Sequence, residues 1–259
     1  MDRRGLGKSG MARQTKPHFE QFSEDLDDLL NALGHAQVKL VGSSQGAYAC
    51  LVKYKLSGFD RITNFFLVEH AITVLPTRDF RYGCQPALVE EYRSLVALWR
   101  KHKLNNPDVP FRTLPEEFRR AYANHFCATG EYLDYPIWRR RLIRLLFQSQ
   151  CKVGWSAVEM WHGAMKIMED YVDHDYGITL KDLEQIHVPV TLVYGRRSEL
   201  FESASMLEMA RHIPNAQTIA FENSGHACFL TEPIKFRKEL VQFLAEPPVT
   251  AQRVSARAV

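Results

Sequence analysis

The sequence predicts an α/β protein: a mainly parallel sheet flanked by helices, with a helical insertion in the middle of the chain. Three observations carry this. Apolar, strand-like runs alternate with amphipathic helical patterns at both ends. The first two runs, residues 38–41 and 62–69, are separated by one helical stretch, the crossover that a parallel pair needs. Between residues 73 and 179 the strand signal disappears, and helical spacing rich in aromatics replaces it.

Taken in order, residues 19–33 set Phe22, Leu26, Leu29, Leu30 and Leu33 on one helical face, and Gly34 stands where a left-handed helix end would fall. A strand at 38–41 runs into a turn, then into a helix reaching about residue 56 that Ser57 and Gly58 stop. Residues 62–69 form a continuous apolar run of the buried-strand type. The insertion carries Tyr92, Trp99, Phe118, Tyr122, Trp138, Phe147, Trp155 and Trp161, with breaks at 105–107 and 129–130. Afterwards the alternation resumes: a strand at 188–195, a helix at 204–212, a strand at 217–221 and an amphipathic helix at 234–244. This gives a core of 1–72 plus 180–246, a helical insertion of 73–179, and a tail of 247–259 that is expected to be disordered.

Composition excludes several functions. The chain has 259 residues, 46% hydrophobic and 24% charged, enough for one large core with an insertion. A net charge of +3, from 33 basic and 30 acidic residues, makes no case for nucleic-acid binding. The five cysteines, at 50, 84, 127, 151 and 228, form no C-x-x-C pair, so neither a zinc site nor a disulfide framework is expected. They suit a cytoplasmic protein with reduced thiols. No apolar run reaches the roughly 18 residues of a membrane span, and the start lacks a signal-peptide core.

The chemistry concentrates at Gly42-x-Ser44-x-Gly46. A serine on a sharp strand-to-helix turn has its hydroxyl lifted clear of the backbone, and small flanking residues permit the turn. Ser44 is therefore the candidate nucleophile, Gly42 and Gly46 form the elbow, and the backbone N–H of Gln45 is the candidate oxyanion donor. Ser43 lies on the strand side and reads as a structural hydroxyl.

With the apolar strand ending at Gly195, and with the segment 223–233 running Asn-Ser-Gly-His-Ala-Cys-Phe-Leu-Thr-Glu-Pro after the last strand, the chain resembles the α/β-hydrolase family. The resemblance implies that His226 is the general base and that the insertion is the family's cap. It also implies that residues 2–9 are the family's Asp-x-Arg-Gly-x-Gly-x-Ser turn, so that the chain is N-terminally truncated and lacks the family's first strands, with the loop that carries a second oxyanion donor. The same residues are a poor P-loop, since Asp2 stands where that motif needs glycine. The family's acid usually falls three residues after the strand-ending glycine, where this chain has Ser198. Glu69, which ends the second strand as the acid does in some members, or Glu199, one residue displaced, is expected to orient the imidazole, with Glu69 favoured.

Several other groups admit two readings. His70 either shapes the pocket entrance or sits on the surface. Asp173, His174 and Asp175 are metal-capable but do not converge on one ion, and no metal or cofactor is required. Met160, Met165 and Met168 are expected in the cap core, with an acyl-pocket lining as the other reading. The run 138–146, with Arg139, Arg140, Arg141 and Arg144, is a solvated cap helix or a dock for an anionic acyl carrier. The expectation is a serine hydrolase acting on an ester or thioester of a small or medium apolar acyl or aromatic substrate. A non-catalytic binding protein and an acyltransferase are the alternatives.

Overall fold

The computed structural model describes residues 2–6, 8–9, 14–128, 138–139, 141–142, 145 and 160–247. Helix α1 (His18–Leu33) buries Phe19, Phe22, Leu26 and Leu30 and ends on Gly34 at φ 66°, a left-handed position that glycine takes without steric cost. Strand β1 (Val38–Ser43), helix α2 (Gln45–Ser57) and strand β2 (Ile62–Val68) follow. The insertion between β2 and the next strand contains α3 (Pro86–Lys101), a 3₁₀ turn at Phe111–Thr113, α4 (Glu116–Ala128) and α5 (Trp161–Asp173) among the described residues. The core then resumes with α6 (Leu180–Glu184), β3 (Val190–Gly195), α7 (Ser203–His212), β4 (Ala216–Phe221), α8 (Cys228–Thr231) and α9 (Pro233–Ala245).

The four strands lie in the order β1-β2-β3-β4 and all pair in parallel. β2 and β3 are buried along their whole length, which is why their sequences run apolar without alternation: helices cover both faces. Phe65, Leu67, Leu192 and Tyr194 pack in the core that includes α1 and α2. Phe66, Val68, Val193 and Phe221 meet Phe243 of α9 on the other side. At the β1 edge, Val41 is 43% exposed, and Lys39 Nζ donates to the carbonyls of Phe243 and Leu244 at 2.9 and 2.8 Å, satisfying acceptors that the end of α9 leaves open.

The insertion has a cluster of its own, with Leu95, Val96, Trp99, Phe118, Tyr122, Trp161, Met165 and Met168, so two of the three methionines pack there. Leu88, Val89, Ile167 and Tyr171 pack into the core beneath the sheet, and one buried carboxylate ties the insertion to α1. Asp170 on α5 accepts from the Phe19 N–H at 2.7 Å and from the Tyr176 hydroxyl at 2.8 Å, and lies 2.9 Å from His174 Nδ1. Pro17 gives α1 no side-chain cap, and Asp170 supplies one from 151 residues away. Asp173 turns instead to Arg100, and Asp175 accepts from the Gly177 N–H.

Two short helices, α6 and α8, fall where the sequence pattern gives loops. Each is too short for periodicity to reveal; α6 is marked by a capping box between Thr179 and Asp182. Arg140 and Arg144, the break at 129–130 and the tail beyond 247 lie outside the described residues. Trp138 and Leu145 of the basic run are 68% and 62% exposed.

Candidate active site

Strand register assembles the site. Ser43 pairs with Val68, and Val68 with Val193, so the residues that follow these strands emerge side by side at the carboxyl edge of the sheet, where open α/β sheets bind ligands. Ser44 and Glu69 each follow a strand directly, and both hold φ of 52°. Left-handed backbone at a non-glycine residue is strained and persists only where its surroundings fix it. Here the Ser44 N–H donates to the Val68 carbonyl at 2.8 Å, and the Glu69 N–H to the Val193 carbonyl at 3.0 Å.

The two elbow glycines differ. A Cβ on Gly42 would sit 2.8 Å from the Ala47 Cα, so the strand approaches α2 too closely for any side chain. At Gly46 a Cβ would meet nothing within 4 Å, and the expectation that both flanks must be small holds sterically at Gly42 alone among the described residues. The Gln45 N–H is the first of α2, ahead of the helix's own hydrogen-bond ladder, and is available to an oxyanion.

His226 arrives from the loop after β4. That loop crosses Gly195, where an added Cβ would lie 2.0 Å from the Gly225 carbonyl oxygen. Glu232 fixes the loop by accepting from the Asn223 N–H at 3.0 Å and the buried Ser224 hydroxyl at 2.6 Å, which gives the Glu-Pro pair its structural reason. His226 Nε2 then stands 2.9 Å from Ser44 Oγ, and Nδ1 stands 3.4 Å from Glu69 Oε2. The imidazole is 5% exposed and the carboxylate 1%.

Glu69 is held from two other sides. Its Oε1 accepts from the Gly195 N–H at 2.5 Å and its Oε2 from the Ser198 hydroxyl at 2.8 Å. Glu199, the other candidate acid, is exposed and stands outside this cluster, because the turn that aims Ser198 inward directs its neighbour to solvent. His70 is buried, not a surface histidine. Its Nδ1–H donates to the Ala71 carbonyl at 2.7 Å and its Nε2 accepts from the Tyr171 hydroxyl at 3.1 Å. Burial pushes this imidazole down to about 3, against the pull of the Ala71 bond, so it is a neutral wall.

The wall continues with Tyr48 and Phe201, whose rings lie 4.9 and 4.6 Å from that of His70; Phe201 is also 6.2 Å from His226. The sequence reading missed Tyr48, Tyr171, Phe201 and the inward Ser198. Only Ser198 left a signal, as a polar group where an acid was expected. Arg3 also reaches this region, donating from Nη2 to Gln45 Oε1 at 3.1 Å.

No family model matches the chain. Rat protein ABHD14A is 31% identical over 68 residues, 26% of this chain and 28% of that protein. The pimeloyl-acyl-carrier-protein methyl ester esterase of Nitrosomonas europaea is 34% identical over 55 residues, 21% and 22% of the two chains. The aligned segments thus span about a quarter of these curated relatives. Likeness to solved structures runs much further. An esterase from Exiguobacterium antarcticum superposes with a TM-score of 0.66 at 19% identity, over 95% of this chain and 80% of that one. A bromoperoxidase from Bacillus anthracis does so with 0.64 at 22%, over 95% and 80%.

Proposed function

This chain has the α/β-hydrolase fold, and on that premise we propose that it is a serine hydrolase cleaving an ester or thioester of a small or medium apolar acyl or aromatic compound. One observation carries the reading: Ser44, His226 and Glu69, from three separate segments, line up through contacts of 2.9 and 3.4 Å.

In this reading Ser44 Oγ attacks the substrate carbonyl while His226 Nε2 takes its proton. Glu69 holds the Nδ1–H tautomer and stabilises the imidazolium that forms. Gly195 and Ser198 keep that carboxylate aimed. The Gln45 N–H stabilises the oxyanion; one such donor contributes about 10² to 10³ in turnover. His226 returns its proton to the leaving group, and water, activated by the same imidazole, releases the acid. The aromatic wall of Tyr48, Tyr171 and Phe201 favours an apolar acyl group. The relatives point the same way, being named as esterases and hydrolases. The basic run 138–146 is offered as the dock for an anionic acyl carrier, a proposal in keeping with the relative that acts on a carrier-bound pimeloyl ester.

Labelling with a fluorophosphonate tests the reading. Wild type is expected to label and Ser44→Ala not to. Equal labelling would move the nucleophile elsewhere, and no labelling of either would favour a binding protein. Product analysis with an added alcohol separates hydrolysis from acyl transfer.

A further inference from the structure

Arg3 and Arg4 are adjacent and meet opposite fates. Arg4 grips Asp25 of α1 with two bonds, Nε to Oδ2 at 3.0 Å and Nη2 to Oδ1 at 2.5 Å. Arg3, part-buried, has no carboxylate partner among the described residues. Its Nη2 donates to the neutral Gln45 Oε1 at 3.1 Å, and its Nη1 is shut off from solvent without an acceptor. An unmet donor costs stability, and the segment is placed without it: Arg4 ties it to α1, and at Gly163 of α5 an added Cβ would lie 2.4 Å from the Gly5 carbonyl oxygen.

What Arg3 holds is the side chain of the residue that follows the nucleophile. The α2 ladder begins with the Ala47 and Tyr48 N–H groups, which donate to the Ser44 carbonyl at 2.8 and 3.2 Å, so those of Gln45 and Gly46 stand ahead of it. An N-cap side chain commonly takes up such donors. Ser44 makes no cap bond, because its hydroxyl is turned to His226 Nε2 at 2.9 Å. The acceptor nearest in sequence is then the amide oxygen of Gln45. A glutamine in a first helical turn can reach back to an N–H at the helix start, as it does in a capping box, and an oxygen bound there would stand where the oxyanion must form.

We infer that Arg3 is a positioning residue for the oxyanion donor: by binding Gln45 Oε1 it keeps that oxygen off the N–H groups at the start of α2 and leaves them open to the substrate. Donors held ready in this way need no rearrangement at the moment of reaction. Arg3 acts through Gln45 and touches no reacting atom. The inference deepens the hydrolase reading and rests on it for the role of the Gln45 N–H.

The experiment introduces Arg3→Met, which keeps an apolar stem and loses the donor, into two backgrounds, wild type and Gln45→Ala. Alanine retains the backbone N–H and removes the competing oxygen. With p-nitrophenyl butyrate and wild-type Gln45, Arg3→Met is expected to lower kcat about five- to tenfold at nearly constant KM, the effect of one neutral hydrogen bond that must break before the oxyanion is bound. A trifluoromethyl ketone inhibitor should weaken by the same factor. In the Gln45→Ala background the same substitution should change kcat by less than about twofold, and Arg3→Lys, which still donates, should restore part of the loss seen with Gln45 present. An unchanged kcat, or a loss that persists in the Gln45→Ala background, overturns the inference. If Arg3→Met does not fold, Arg3→Gln, too short to reach Gln45, takes its place in both backgrounds. Should wild type label with fluorophosphonate and turn over the ester while Arg3 and Gln45 act independently, this inference alone falls. Should wild type do neither, the hydrolase reading falls and this inference with it.

Discussion

Ser198 donates a 2.8 Å hydrogen bond to Glu69 Oε2, the same oxygen that faces His226 Nδ1. The hydroxyl at the position where related chains are expected to carry their acid therefore supports an acid that comes from the neighbouring strand. A carboxylate with donors on both oxygens is fixed in direction, and direction is what an orienting acid must supply.

This predicts an asymmetry between the two candidate acids. Glu69→Gln should lower kcat/KM on a p-nitrophenyl ester by about 10² to 10⁴-fold, the range set by loss of the orienting carboxylate. Glu199→Gln, at an exposed site, should stay within about twofold of wild type. The double variant Glu69→Gln/Ser198→Asp should regain at least about tenfold over Glu69→Gln, since it returns a carboxylate to the loop that already reaches the site. A reversed ranking of the single variants would transfer the role to Glu199.

Most of the fold was legible because its signals are local. The Gly34 helix end, the two-sided apolar runs of β2 and β3 and the tight turn at Gly42 each lie within a few residues of sequence. His226 was legible only through the resemblance, and the choice between Glu69 and Glu199 was not settled by sequence, because it depends on register and on which way a turn directs consecutive side chains. Asp170 capping α1 across 151 residues leaves no local pattern at all.

The glycines give a second prediction. Gly195→Ala should push the histidine loop away, since its Cβ would fall 2.0 Å from the Gly225 carbonyl oxygen; that is backbone and cannot rotate aside. Fluorophosphonate labelling of Ser44 should slow by more than about tenfold while the fold persists by circular dichroism. Gly46→Ala, with open space around it, should label at near the wild-type rate. Equal effects would show that the loop tolerates displacement.

Stability should fall with acid for a defined reason. Burial holds His18 and His70 down to about 3, from 6.5. The unfolded chain takes up protons near 6.5 that the folded chain refuses until about 3, so stability is full above 6.5 and declines as pH falls through that window. Each histidine contributes a slope of up to about 1.4 kcal/mol per pH unit. Asp170, raised by burial, acts in the opposite sense at the acidic end, so the window between pH 6.5 and 5 is the informative one. Urea midpoints of His70→Gln should fall less steeply there than those of wild type, and parallel slopes would exclude His70 as a source.

The tie between the helical insertion and α1 is the last test. Asp170 satisfies the Phe19 amide and the Tyr176 hydroxyl and faces His174, so Asp170→Ala leaves a buried N–H at the start of α1 and a part-buried hydroxyl without this acceptor. An unpaired buried group of this kind costs about 1 to 3 kcal/mol, and the part-buried hydroxyl less. A drop of roughly 3 kcal/mol in chemical denaturation is expected, with Asp170→Asn intermediate because its carbonyl oxygen still accepts. Tyr171 is the next residue on the same helix and bonds His70, so the loosened insertion should also raise KM for small esters. A destabilised variant with unchanged KM would mean that the insertion keeps its place at the site without Asp170.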